Sequence, residues 1–376
     1  MNQPPSLTSL RRTQNNKQRP IRVSLFNARK CSRLLGGILL VAVLAGCSPT
    51  SEVLPTLGVD IEKTSASGLS AGAYMAGQLQ VVHSSNIVGA GLVAGGPYGC
   101  AETGSEGIMP STAKNVTQAL EGCMSDKLRS SGIPNVPALV ARAQQFASEQ
   151  QIDPLERLAP DKVYLFSGGA DRIVARSVVE AAKGFYLKAG VSEANIKLDT
   201  SKDAGHAFVT TDAGTACGVS AAPFLNDCDY DQAEAILSWI YGNLAGASTK
   251  LTGKFIQFDQ SEFERKGSGL SKQGVIYIPQ SCSEKASCRL HIALHGCEQN
   301  LDAVGTKFAE GSGFARWADT NRLVVLFPQV SASLVNPKAC WDWRGYTGRD
   351  YLTKDAPQVA AIWKMVERLA MRPGQS

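Results

Sequence analysis

The chain has no two cysteines at C-x-x-C spacing, and its four histidines, His83, His206, His291 and His295, stand at intervals unsuited to zinc. A metal site is therefore not expected, nor any other cofactor. Charged residues are scarce, at 19%. The leading apolar run, residues 34–44, falls short of the roughly 20 residues that a permanent membrane span needs. Acids are missing altogether from residues 1–47, which hold eight Lys or Arg. Subtracting those eight from 38 basic residues leaves 30 against 33 acids, so the formal +5 belongs to the leader and no nucleic-acid surface is implied. Internal repeats, long low-complexity segments and a Thr/Ser-rich linker to an added binding module are also missing. What remains is 376 residues with 44% hydrophobic content, enough for a substantial core.

The leader has a basic stretch (Arg22, Arg29, Lys30, Arg33), the apolar run, and then Leu44-Ala45-Gly46-Cys47. That is signal-peptide anatomy. Small residues before a cysteine resemble a bacterial lipobox, which implies cleavage before Cys47, lipid on its thiol and, with Ser48 next, an outer-membrane anchor. An ordinary signal peptide, giving a periplasmic or secreted protein, is the alternative. Residues 1–47 are read as the leader, 48–57 as a tether and 58–372 as a catalytic domain, expected to be monomeric. Setting aside Cys31 and Cys47 leaves eight cysteines, and an even number in an exported chain reads as disulfides. Roughly a hundred pairings are open to eight cysteines. Sequence neighbours suggest Cys100 with Cys123, Cys217 with Cys228 and Cys282 with Cys288, which leaves Cys297 with Cys340.

Gly68-Leu69-Ser70-Ala71-Gly72 matches G-x-S-x-G, the cramped strand-to-helix turn that raises a serine hydroxyl above an α/β sheet. Residues 59–65 are the expected feeding strand, although they are less apolar than a central parallel strand should be. Residues 87–96 and 162–167 read as further strands, with a loop-rich excursion over 97–160 between them. The second strand runs into Asp171, and a short strand at 196–198 leads to Gly205-His206. Ser70, Asp171 and His206 thus follow the chain order of an α/β-hydrolase triad. Asp203 is the competing acid, and capping the next helix is the competing role for Asp171. Strands at 275–278, 290–294 and 323–327 alternate with helices at 314–321 and 356–369, so a mostly parallel sheet flanked by helices is expected.

Such a fold needs a second oxyanion donor from a loop that precedes the nucleophile. Here the matching strand and His-Gly lie far downstream, in Leu290-His291-Ile292-Ala293-Leu294-His295-Gly296-Cys297. Joining the last helix to residue 59 would restore the usual order. One circularly permuted domain is therefore expected, with 58–245 carrying Ser70, Asp171 and His206 and 250–372 carrying the oxyanion strand. Residues 290–297 should then lie beside Ser70, and the amides of Ala71 and Cys297 should face the oxyanion. Two separate domains are the alternative, each with exposed sheet edges.

With Ser167-Gly168-Gly169-Ala170-Asp171-Arg172-Ile173-Val174 and Cys340-Trp341-Asp342-Trp343 added to these motifs, residues 57–370 resemble the circularly permuted poly(3-hydroxybutyrate) depolymerases that lack a polymer-binding module. The resemblance implies an extracytoplasmic serine esterase acting on that polyester or its oligomers, with the triad at Ser70, Asp171 and His206. A Cys297–Cys340 bridge would set Trp341 and Trp343 beside the reacting carbonyl as substrate contacts, with His295 nearby; burial in the core is the competing role of the indoles, and a structural or loop-orienting one that of His295. A feruloyl or acetyl esterase acting on plant polysaccharide, and a non-catalytic surface lipoprotein, are the rival functions.

Overall fold

The computed structural model describes residues 52–104, 111–283 and 287–374, so the leader, Cys47 and the first part of the tether lie outside the described residues. Among these, eleven strands form: β1 Thr64–Leu69, β2 Ile87–Val93, β3 Lys162–Phe166, β4 Ile196–Asp199, β5 Phe208–Thr210, β6 Thr215–Ala216, β7 Leu225–Asp227, β8 Lys254–Asp259, β9 Gln273–Ile278, β10 Arg289–Leu294 and β11 Leu323–Phe327. The main helices are α1 Ala71–Val82, α2 Ser111–Gly122, α3 Val136–Ser148, α4 Arg176–Lys188, α5 Gln232–Tyr241, α6 Phe314–Asn321 and α7 Pro357–Ala370.

Eight strands make one sheet in the order β4-β3-β2-β1-β10-β11-β9-β8. From β4 across to β11 every pairing is parallel, while β9 runs antiparallel to β11 and to β8. β1 sits between β2 and β10, with Thr64 beside Leu290 and Gly68 beside Leu294. The oxyanion strand expected from sequence therefore flanks the strand that ends at Ser70, and both halves of the chain share one sheet. Wholly buried strands such as Leu-Val-Val-Leu-Phe in β11 are what a sheet covered on both faces requires. α7 covers it with Val359, Ile362, Val366 and Leu369, all fully buried.

β1 begins at Thr64, after a 3-10 turn at Ile61–Lys63, so the feeding strand is not residues 59–65. Its polar character has a partner in the neighbouring strand. Ser65 Oγ and Ser67 Oγ lie 2.7 and 2.8 Å from Nδ1 and Nε2 of His291 on β10, so all three buried polar side chains are satisfied. The excursion over 97–160 is also less loop-rich than expected, since it holds α2 and α3.

The two ends of the domain are joined by backbone bonds. The amides of Leu57 and Val59 both donate to Leu369 O at 3.1 Å, and that of Gly58 donates to Met371 O at 2.8 Å. Glu52 pairs with Phe258 on the outer strand β8 and so covers part of that edge. Four disulfides are present, Cys100–Cys123, Cys217–Cys228, Cys282–Cys288 and Cys297–Cys340, the three pairs that sequence proximity suggests and the one that those three leave.

Candidate active site

Ser70 follows the last residue of β1 and adopts φ 57°, ψ −118°, a conformation that a residue with a side chain holds only when its surroundings impose it. They do so here. The Ser70 amide donates to Val93 O at 2.9 Å, and its carbonyl accepts from the Tyr74 amide at 3.1 Å. A β-carbon at Gly68 would collide with the backbone of Gly72, and one at Gly72 with the carbonyls of Leu294 and His295. The two glycines thus let the turn fold tightly and press it against the end of β10.

Asp171 and His206 lie beyond the carboxyl ends of β3 and β4, and their side chains meet. His206 Nδ1 is 2.8 Å from Asp171 Oδ2, with both side chains buried. The other carboxylate oxygen accepts from the amides of Ile173 and Val174 at 2.8 and 3.0 Å. The Ala170 amide donates to Ala204 O at 3.1 Å and that of Gly169 to Lys202 O at 2.9 Å, tying the two loops together. The His206 amide donates to Ser220 Oγ at 2.8 Å. Asp203 is exposed and is not the partner of His206. Ser70 is half-buried, and its hydroxyl has no hydrogen-bond partner among the described residues. The serine-to-imidazole bond is therefore not made in this state; such contacts are often loose before substrate arrives.

The other three histidines are held neutral by burial. Desolvation lowers His291 to about 3, and His83 and His295 to about 4. His291 is the serine-bound ring inside the sheet. His83 caps α1 at the end away from Ser70 and stacks on Trp363 at 3.8 Å, beside a depression of 410 Å³.

Ala71 opens α1, and neither its amide nor that of Cys297 has a protein acceptor among the described residues. The Gly296 amide, by contrast, donates to Gln299 Oε1 at 2.8 Å. His295 receives the Val330 amide on Nε2 at 3.3 Å and faces Gly296 O with Nδ1 at 2.7 Å. It is completely buried and lies against Trp341, ring centres 5.3 Å apart, which is equally buried. The expected substrate contacts at His295 and Trp341 are therefore corrected: neither side chain has exposed surface, and the two pack against each other inside the fold. Trp343 stacks on Tyr74 at 4.4 Å and keeps only 7% of its surface. The reason for Asp342 between the two indoles was not legible in the sequence. Its carboxylate, 1% exposed, gathers the amides of Arg344, Gly345, Tyr346 and Thr347 and so shapes the loop.

Among the described residues no cluster of three or more His, Cys, Asp or Glu could hold a metal, and no helix is long and apolar enough to cross a membrane.

The fold is of the α/β-hydrolase type, and the Asp171–His206 pair and the Ser70 turn, the candidate site, lie at the carboxyl ends of its parallel strands. No protein-family model matches the chain. It is 41% identical over 326 residues to a poly(3-hydroxybutyrate) depolymerase of Delftia acidovorans, a match spanning 85% of this chain and 62% of that protein. It thus spans under two thirds of that relative's length. To a polyhydroxybutyrate depolymerase of Talaromyces funiculosus it is 33% identical over 349 residues, spanning 88% of this chain and 96% of the relative. The crystal structure of a PHB depolymerase from Penicillium funiculosum superposes with a TM-score of 0.75 at 32% identity, covering 85% of this chain and 98% of that one. A serine-to-alanine PHB depolymerase complexed with an R3HB trimer superposes with the same values. The chain belongs to the poly(3-hydroxybutyrate) depolymerase family.

Proposed function

We propose that this chain is a serine esterase that hydrolyses poly(3-hydroxybutyrate) or its oligomers. Ser70 Oγ attacks the ester carbonyl while His206 Nε2 takes its proton and passes it to the leaving alcohol. Asp171 keeps the remaining imidazole proton on Nδ1. Water activated by the same imidazole then cleaves the acyl-enzyme. The Ala71 and Cys297 amides donate to the oxyanion, each contributing about 3 kcal/mol to lowering the barrier. The observation that carries this reading is the buried 2.8 Å Asp171–His206 pair, on the same sheet edge as the strained Ser70 turn.

The substrate class is supported by the names of the relatives and by the R3HB trimer in the superposed structure. It is also supported by exposed apolar side chains on this edge. Ile173 follows Asp171, Leu334 and Val335 follow β11, and Val219 lies on the segment packed against the Gly205-His206 turn. Apolar groups left in solvent suit a solid aliphatic ester. We read 58–372 as one circularly permuted domain, a reading supported by the bonds between residues 57–59 and 369–371. Export, a lipid anchor at Cys47 and a monomeric state belong to the same proposal. The four disulfides fit an oxidising compartment.

Ser70→Ala should lower turnover of a short p-nitrophenyl ester by about 10⁶-fold. An unchanged rate overturns the enzymatic reading. Side-by-side turnover of 3-hydroxybutyrate oligomers, feruloyl esters and acetylated xylan tests the substrate: the oligomers should be cleaved fastest, and preference for either of the others overturns the polyester assignment.

A further inference from the structure

Gln299 is almost fully buried, at 1% exposure, and its one amide group spans the two loops that the chemistry needs in register. Its Oε1 accepts from the Gly296 amide at 2.8 Å, next to the Cys297 amide assigned to the oxyanion in the proposed function. Its Nε2 donates to Pro223 O at 2.9 Å and to Phe224 O at 3.0 Å. Phe224 O also receives the Phe208 amide at 2.9 Å, two residues beyond His206. A single side chain therefore runs from the oxyanion loop, in the 250–372 part of the chain, to the segment that follows the histidine, in the 58–245 part.

We propose that Gln299 is a positioning residue that holds the Cys297 amide at a fixed distance from the His206 loop, a proposal that rests on the esterase reading above. Glycine at 296 leaves the loop backbone intrinsically free to rotate. Capture of the Gly296 amide by Gln299 removes that freedom and leaves the next amide, Cys297, for the oxyanion. At residues 297 and 298 the same loop is steadied from outside as well: the Glu298 amide donates to Lys338 O at 2.7 Å, and Cys297 is bridged to Cys340. These fix the loop to residues 338–340 and not to the histidine side, so the register between the oxyanion donor and the base falls to Gln299. The chemistry asks for an amide in particular. One end must accept from an N–H and the other must donate to two carbonyls, which glutamine does at any pH and ionised glutamate cannot do.

The test uses the folded chain, a p-nitrophenyl ester and a boronic acid as transition-state mimic. Gln299→Ala should lower kcat by about 10²-fold, as expected for a displaced catalytic donor, with KM within about threefold and boronate affinity falling in step with kcat. Gln299→Glu supplies a second readout. Ionised, it faces two carbonyls; protonated, it can donate again, so its kcat relative to the parent should rise as pH falls from about 8 to about 5.5. A folded Gln299→Ala variant with parental kcat and boronate affinity overturns the proposal. If that variant does not fold, the glutamate decides alone, and a ratio flat in pH overturns it. Ser70→Ala run in parallel separates the two levels. Activity that survives it sinks the esterase reading, whereas activity that depends on Ser70 but ignores Gln299 sinks only this inference.

Discussion

His206 Nδ1 and Asp171 Oδ2 are 2.8 Å apart, and the second oxygen of that carboxylate is clamped by the amides of Ile173 and Val174. The acid cannot turn without losing two backbone bonds, so it holds both the plane and the tautomer of the ring. In Asp171→Asn the same amides should keep the carbonyl oxygen of the asparagine, which leaves its NH₂ facing Nδ1. The ring proton must then move to Nε2, where it blocks acceptance of the serine proton. We expect kcat to fall by about 10⁴-fold with little change in KM, read by steady-state kinetics on a soluble ester. Near-parental kcat would remove Asp171 from the triad.

A second serine–histidine contact exists in the molecule, Ser65 with His291, and its surroundings assign it a different task. Both side chains have no exposed surface, and the ring is held neutral far below its ordinary range. The Tyr241 hydroxyl lies 2.8 Å from Ser65 Oγ on the far side. Ser65→Ala should therefore destabilise the fold by about 1–3 kcal/mol through the unpaired Nδ1 and leave kcat within about threefold. Urea unfolding and ester turnover read the two effects. A collapse of kcat in a stable protein would make Ser65, and not Ser70, the serine of interest.

Asp161 gives the fold a pH dependence of its own. Burial raises its carboxyl to about 8, and its hydrogen bond comes from Gln80 Nε2 at 3.0 Å, while Gln80 Oε1 is buried without a partner. The folded state binds this proton more tightly than the unfolded chain does. Its contribution is therefore complete below the unfolded value near 4, is lost as pH rises towards 8, and does not change further above that. Asp161→Asn keeps the neutral form at every pH and offers Gln80 Oε1 a donor. Its Tm should match the parent near pH 4 and exceed it by about 5 °C or more near pH 9. A gap that does not widen with pH contradicts this.

The sequence displayed those parts of the fold that depend on local spacing. Residues 314–321 are visible by their helical spacing of apolar positions and 323–327 as an unbroken apolar run, and both are buried in the structure as such, with Asp319 the one charged side chain among the buried positions of the helix. The turn at Ser70 is visible because only glycine tolerates the backbone of residues 72, 294 and 295 at that range. β1 was misplaced for the opposite reason: its interior is polar, and the partner that makes this tolerable, His291, lies more than two hundred residues away. The roles of Gln299 and Asp342 depend on backbone amides and carbonyls, which every residue carries, so nothing in the side-chain pattern marks them. The indoles at 341 and 343 point to the right region but not to which surface they present.

The backbone bonds between residues 57–59 and 369–371 place both exits of the domain on one side. Residues 57–59 lead into the start of β1, whereas Ser70 stands at its finish, about 20 Å further along the strand. A surface, resin or fusion partner coupled directly at residues 57–59 or 369–371 is thus held at the end of the sheet opposite Ser70, and the edge that carries Ser70 looks away from it.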